Sequence, residues 1–219
     1  MKGYRGIILI ALAMVVPATA TANSRDQAQR IHNRLAGVPA DAATLTEMAS
    51  LIDNNQAAAA AELAMDHPAF YNVTIKQFAT PWTNEAQDVF APLNDYTATI
   101  IGVVRDDVDF RRILYSDLLY VGNASPAASP SSNAHYEALE NQHADLSTAL
   151  TESSQASQYG TPAEAVAGVL TTRAAANAFF YAGTNRAMLR FTMMNHMCRD
   201  LEQVKDTTRP SDRIRQDVS

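Results

Sequence analysis

Helix breakers recur so closely in the first third of this 219-residue chain that it can hold only short helices. Gly37 stands just past the end of one helix, where left-handed backbone is needed, and the pair Asn54-Asn55 breaks the next. His67-Pro68 acts differently, because the residue ahead of a proline is pushed out of the helical region. Between the breaks the apolar spacing is helical. Ser24 begins the pattern S-x-x-Q through Gln27, a capping box, and Ala28, Ile31 and Leu35 follow on one face. Asp41 is placed to cap a second helix with the stripe Leu45, Met48 and Ile52. The run Ala57 to Ala61, with Leu63 and Met65, has high helix propensity.

Beyond this trio the signals vary. From Phe70 to Thr80 a helix is favoured through Tyr71, Ile75 and Phe78, although Val73 and Ile75 also alternate as in a strand. Pro81-Trp82 ends it, with the lone tryptophan anchoring a loop or helix start against the core. Thr97 to Val104 is β-branched and could pair as a strand. Asp109 to Val121 reads as a helix with Phe110, Ile113, Leu114, Leu118 and Val121 on one face. GNASPAASPSSN, residues 122–133, lacks the apolar groups that offset the entropy of ordering, and reads as a mobile loop or a boundary between halves. Ala134 to Leu150 has weak helical periodicity and carries His135 and His143, and Ser153 to Tyr159 is a soft connector. Thr161-Pro162-Ala163-Glu164 resembles a second capping box, with Val166, Val169 and Leu170 facing inward after it. Arg173 to Tyr181 is alanine-rich and helical, and Gly183 separates it from a helix over Thr184 to Lys205. In that last helix Ala187, Phe191, Met194, Cys198 and Leu201 recur at heptad-like spacing, which predicts a place in the core. The expected fold is mainly α, an irregular multi-helix bundle with a flexible central loop. It divides into an N-terminal helical region at 23–121, the loop at 122–133, a C-terminal helical region at 134–205 and a polar tail at 206–219.

Residues 1–22 stand apart from this pattern. Lys2 and Arg5 precede an apolar stretch from Gly6 to Val16, Pro17 breaks it, and Ala20-Thr21-Ala22 offers the small residues that signal peptidase accepts. This is a secretory signal peptide with cleavage predicted after Ala22, and it implies a periplasmic or secreted protein. Its apolar core is about half the roughly 20 residues that span a bilayer, so no stable membrane span is expected once it is cleaved. Losing Lys2 and Arg5 takes the net charge from −6 to −8. Such a charge disfavours nucleic acid, whose binding needs a basic face. Cys198 is the only cysteine, so no internal disulfide forms and packing alone must stabilise the fold.

Familiar catalytic patterns do not occur: G-x-x-x-x-G-K, G-x-G-x-x-G, H-E-x-x-H, G-x-S-x-G and C-x-x-C are all missing from the sequence. The last helix holds the one cluster suited to a cofactor. Met194 and His196 are soft and imidazole ligands of the kind that bind haem iron or copper, and Arg190 could hold a haem propionate. Against this, methionines at helical spacing are usually core filler. No catalytic residue and no metal ligand set is assigned. Asp106, Asp107 and Asp109 with Arg111 and Arg112 form a dense charge patch, either an acid/base or divalent-ion site or a solvated ion-pair surface. His32 and His67 have no partner in sequence.

RLAGVPADAATLTEM followed by MDHPAF resembles the opening of the large secreted haem-c-associated proteins of planctomycetes and other Gram-negative bacteria. The residues that carry it are Arg34, Leu35, Gly37, Pro39, His67, Pro68, Ala69 and Phe70. DFRRILYSDLLYVGN (109–123), AGVLTTRA (167–174) and the helix ending in Cys198 are similar to later elements of the same proteins, in the same order. The resemblance implies a helical region ahead of a C-x-x-C-H haem-attachment motif, which residues 199–219 do not contain. It therefore implies no cofactor within this chain, and haem c only if the chain continues beyond Ser219. The expected function is an exported helical scaffold or interaction module of a periplasmic c-type cytochrome electron-transfer protein. Its partner would be a periplasmic redox protein or a downstream haem domain. The alternatives are a stand-alone periplasmic binding protein and, last, a periplasmic enzyme.

Overall fold

The computed structural model describes residues 23–181, 186–200 and 203. The signal peptide and its cleavage site, Gly183, Leu201 and the tail at 206–219 lie outside the described residues. The described chain is mainly helical, with a single two-stranded sheet among those residues.

Three short helices come first, as the breakers require: α1 (Ser24–Leu35), α2 (Ala42–Asp53) and α3 (Ala57–Met65). They bury Ala28, Met48, Ala60 and Ala64 against one another, with Ile31, Leu35, Leu45, Ile52 and Leu63 around them. The small alanines let the helix axes approach closely, and Met48 fills the gap they leave. Asp41 caps α2 as expected, accepting from Ala43 and Thr44 amides at 2.8 and 2.9 Å. At α1 the expected capping box is displaced by one residue. Asn23 is the N-cap and accepts from the Asp26 amide, while Ser24 is already helical and donates to Asp53 at 2.5 Å. An asparagine in extended backbone caps at least as well as the serine behind it, so the helix starts one residue earlier.

A wide π-type turn (Phe70–Ile75) then runs into α4 (Lys76–Ala79) and a 3-10 turn (Thr80–Thr83) that carries Pro81 and Trp82. Trp82 is partly buried on the main core, as an anchor should be. The centre of that core is α5 (Asp95–Arg105), in which residues 95 to 103 are all buried. The strand reading for Thr97 to Val104 is therefore wrong. Asn94 accepts the Thr97 amide and starts a helix, and burial on every side lets tertiary packing override β-branched propensity.

The expected helix over Asp109 to Val121 is wrong as well. Residues Phe110–Leu114 form a 3-10 turn, and Leu119–Val121 form β1, which pairs antiparallel with β2 (Thr151–Ser153). The apolar set divides: Ile113 and Leu118 are buried, whereas Phe110 and Leu114 face solvent. Strand β1 lies across α5, and each polar backbone group of Tyr120 meets a side chain. Its amide donates to Thr99 Oγ1 at 3.2 Å and its carbonyl accepts from the Tyr136 hydroxyl at 3.0 Å.

The remaining elements wrap this centre: α6 (Ala134–Asn141), α7 (Leu146–Ala149), α8 (Gln155–Tyr159), α9 (Arg173–Ala175) continued by a π-type turn (Ala176–Tyr181), and α10 (Ala187–Met197). Residues on both sides of 122–133 share one core, which includes Ile113, Leu118, Tyr136, Leu139, Val169 and Phe191. Within 122–133 the apolar groups are few, yet Ala128 is buried. His135 pins the segment by accepting from the Gly122 amide at 3.2 Å and donating to the Pro126 carbonyl at 2.9 Å.

Two further sequence expectations give way. Thr161 to Glu164 forms no capping box. Pro162 stands at the start of a 3-10 turn (Ala163–Ala165) with no side-chain cap, because the chain returns to extended backbone at Val166. The last helix is also shorter than Thr184 to Lys205: Cys198 turns left-handed at φ 51°, and its amide bonds back to the Met193 carbonyl. Cys198 is exposed, and among the described members of the heptad set only Ala187 and Phe191 are buried. No helix among the described residues is long and apolar enough to cross a membrane.

Gly102 marks the tightest crossing. A Cβ there would lie 2.1 Å from the ring of Tyr120, so Gly102→Ala should destabilise the fold by about 3 kcal/mol through overpacking. At Gly160, where φ is +68° and nothing lies within 4 Å, alanine should cost only about 1 kcal/mol of backbone strain. Urea unfolding of the two variants checks the ordering.

Candidate binding cleft

Asp95 at the start of α5 organises the region where titratable and amide side chains meet. It is fully buried, and its oxygens accept from the amides of Tyr96, Arg173 and Ala174 at 3.0, 2.6 and 3.0 Å and from the Tyr159 hydroxyl at 3.0 Å. Burial pushes its carboxyl up, against the Ala174 and Arg173 amides and the nearby Arg173 charge. Thr172 caps the same turn, accepting the Ala175 amide. The start of α9 is thereby fixed from both sides, and Arg173 is held at one position.

From there the Arg173 guanidinium reaches Asn133, donating from Nη2 to Oδ1 at 2.8 Å. Asn133 in turn donates to the Leu93 carbonyl at 2.9 Å and to Glu137 Oε1 at 3.1 Å. Arg173 Nε, which shares an edge of the guanidinium with Nη2, is buried and meets no acceptor among the described residues. An uncompensated buried N–H is costly, and an edge made of two parallel donors suits a carboxylate.

Two hollows open on this residue. One, of about 440 Å³, is bounded by Asn84, Glu85, Asn94, Asn133, Glu137 and Asn177 among others. The second, of about 470 Å³, lies across Arg173 and Asn177 and is bordered by Pro130, Ser131, Phe180 and Tyr181. Phe180 and Tyr181 are 64 % and 89 % exposed, so a large aromatic surface stands beside the guanidinium. A further hollow, of about 530 Å³ between α4 and α6, differs in kind. Its Lys76 and Glu140 are paired with each other, and its Asn72 is engaged with Asp145 and the Leu146 amide.

The residues singled out from sequence are not gathered in this cleft. His196 lies on the other flank of α5: its Nε2 is 2.8 Å from the Tyr96 hydroxyl, and its ring meets Trp82 edge-on at 5.4 Å. Burial lowers the His196 pKa and raises that of Tyr96, so a protonated phenol and a neutral imidazole share this contact. Arg190 is turned to Asp200 with two contacts of 3.0 and 2.9 Å. Met194 is half-buried, and its offset of two residues from His196 puts the two side chains about 200° apart around the helix.

The acidic and basic patch separates into ion pairs. Arg105 holds Asp106 at 2.7 Å, Arg111 holds Asp109 at 2.5 Å, and Arg112 reaches Glu152 at 3.3 Å. Arg111 keeps the Asp109 carboxyl down at about 2. Asp107 adopts left-handed backbone.

His32 and His67, unpartnered in sequence, meet edge-to-face at 5.4 Å. His32 donates Nδ1–H to the Val38 carbonyl and leaves a buried Nε2 without a partner among the described residues. His67 accepts the Ala69 amide on Nδ1, which leaves the proton of the neutral ring on Nε2, so the two do not form a metal pair. No group of three or more His, Cys, Asp or Glu among the described residues is placed to hold a metal ion. Neither a protein-family model, nor a curated protein, nor a solved structure matches the chain.

Sequence reading missed Asp95, Asn133, Glu137 and Arg173. Asn133 and Arg173 are 40 residues apart and Asp95 and Arg173 are 78 apart, so no local spacing could join them.

Two outcomes follow from these networks. Asp95→Ala strips the acceptor from four donors and should cost about 3 kcal/mol of stability in urea unfolding. His196 has a folded pKa below its ordinary 6.5, so the stability it contributes is full above pH 6.5 and is lost as pH falls toward the folded value. The thermal midpoint should therefore drop less below pH 6.5 in His196→Gln than in the unsubstituted protein.

Proposed function

We propose that this chain is an exported helical binding and interaction module, and that the Arg173 cleft is its recognition site. The observation that carries the reading is the guanidinium edge, with one donor held by Asn133 and its neighbour Nε–H buried without an acceptor. Around it stand Asn84, Asn94, Asn133 and Asn177. Amides neither give up nor take protons near neutral pH, so these four side chains recognise by hydrogen bonds. The charge patch at 106–112 adds no support for an enzyme, since Asp106, Asp109 and Arg112 have structural partners.

The context we propose is the periplasm, beside a c-type cytochrome. It is supported by the signal-peptide pattern over residues 1–22 and by the ordered resemblance around Arg34–Pro39, His67–Phe70, 109–123 and 167–174. A stand-alone binding protein is the second reading, favoured by the aromatic hollow that borders the same arginine.

Expression of the full chain in a Gram-negative host should yield a periplasmic product whose mass begins at Asn23. A product that stays cytoplasmic with its first 22 residues counts against export. The immobilised mature chain should capture a haem-staining protein from periplasmic extract of the source bacterium, and Arg173→Gln should lose it. Capture that survives Arg173→Gln removes the cleft from the partner interface.

A further inference from the structure

We propose that the cleft takes a small zwitterionic amino compound, a free α-amino acid with an apolar side chain. This deepens the reading of the cleft as a recognition site and rests on it. The argument starts from Asn133, which joins a cation to an anion: Arg173 Nη2 lies 2.8 Å from its Oδ1, and Glu137 Oε1 lies 3.1 Å from its Nδ2. A positive and a negative group separated by one amide are the complement of a carboxylate and an ammonium carried on one carbon. Glu85 borders the same hollow and adds a second carboxylate to its lining, so a plain dianion is disfavoured there by like-charge repulsion.

The carboxylate of the ligand displaces Asn133 Oδ1 from Arg173 and takes the Nε–Nη2 edge, which is closed to solvent while Asn133 holds it. Asn133 offers that edge one acceptor, which leaves Nε–H unmet, whereas a carboxylate offers two in the matching fork geometry. Occupation by the ligand thus satisfies a buried donor that the protein alone does not, and frees Asn133 Oδ1 to accept from the ligand ammonium.

The third point of recognition is apolar. Across Arg173 the second hollow presents Pro130, Phe180 and Tyr181, and both aromatic rings are largely exposed. A substituent on the carbon that bears both charges reaches this side while its charges stay on the other. Each hollow exceeds the volume of one amino-acid side chain, so an aromatic or branched substituent fits.

Titration calorimetry on the mature chain tests the assignment with L-phenylalanine as the probe. Binding is expected, and 3-phenylpropanoate, which lacks the ammonium, and 2-phenylethylamine, which lacks the carboxylate, should each bind roughly tenfold or more weakly. Glycine should be weaker than L-phenylalanine, and Phe180→Ser, a change at an exposed position, should narrow that gap. Glu137→Gln should lower the affinity for L-phenylalanine and leave that for 3-phenylpropanoate unchanged. Arg173→Lys should weaken both carboxylates, since a point charge replaces a fork; should that variant fail to fold, the ligand series and Glu137→Gln decide alone. Equal binding of L-phenylalanine and 3-phenylpropanoate, or no heat from L-phenylalanine at millimolar concentration, overturns the inference. If L-phenylalanine does not bind while capture of a haem protein still depends on Arg173, the ligand class falls and the recognition site stands.

Discussion

A carboxylate sealed from water sits where three helices meet, and four donors converge on it. Asp95 belongs to the first turn of α5, yet two of its partners are the amides that open α9 and another is a tyrosine hydroxyl from α8. Desolvating a carboxylate costs several kcal/mol unless hydrogen bonds replace the lost water. The arrangement is therefore all or nothing: α5, α8 and α9 dock together, or the group stays in solvent. That requirement fixes the start of α9, and with it the origin of the Arg173 side chain.

The same logic of satisfied polar groups explains the crowded middle of the molecule. Helix α5 is buried on every face over residues 95 to 103, so the strand that crosses it cannot find water for its backbone. Thr99 takes the Tyr120 amide and Tyr136 donates to the Tyr120 carbonyl, while the lack of a side chain at Gly102 makes room for the Tyr120 ring. His135 plays a comparable part for the small polar segment at 122–133, which has little apolar surface with which to order itself. In each case a side chain meets a backbone demand.

At one residue a demand is left unmet next to a place for something else. At Arg173 the unmet donor lies on a charged residue that borders two hollows and a pair of exposed aromatic rings. The buried Nε2 of His32 is also unmet among the described residues, but it lies in the packed helix trio, where the His67 ring meets it edge-to-face. The contrast is chemical: Arg173 is a charged fork on a residue that borders open volume, whereas the His32 nitrogen is a single neutral acceptor within the helix trio.

Helix existence in the first third was legible from residues alone, because Gly37, Asp41, Asn54-Asn55 and Pro68 act locally and the apolar spacing between them is helical. The same holds for Arg173 to Tyr181. Sequence did not reveal that Thr97 to Val104 is helical, that Asp109 to Val121 divides into a turn and a strand, or that the last helix stops at Met197. Those outcomes depend on burial and on partners far along the chain, which outweigh intrinsic preferences of a fraction of a kcal/mol per residue. The candidate cleft was not legible at all. Sequence determined where helices begin and end when the signal was a cap or a breaker. Tertiary structure alone decided which side chains meet, because Asp95, Asn133 and Arg173 become neighbours only when satisfying one buried carboxylate draws α5, α8 and α9 together.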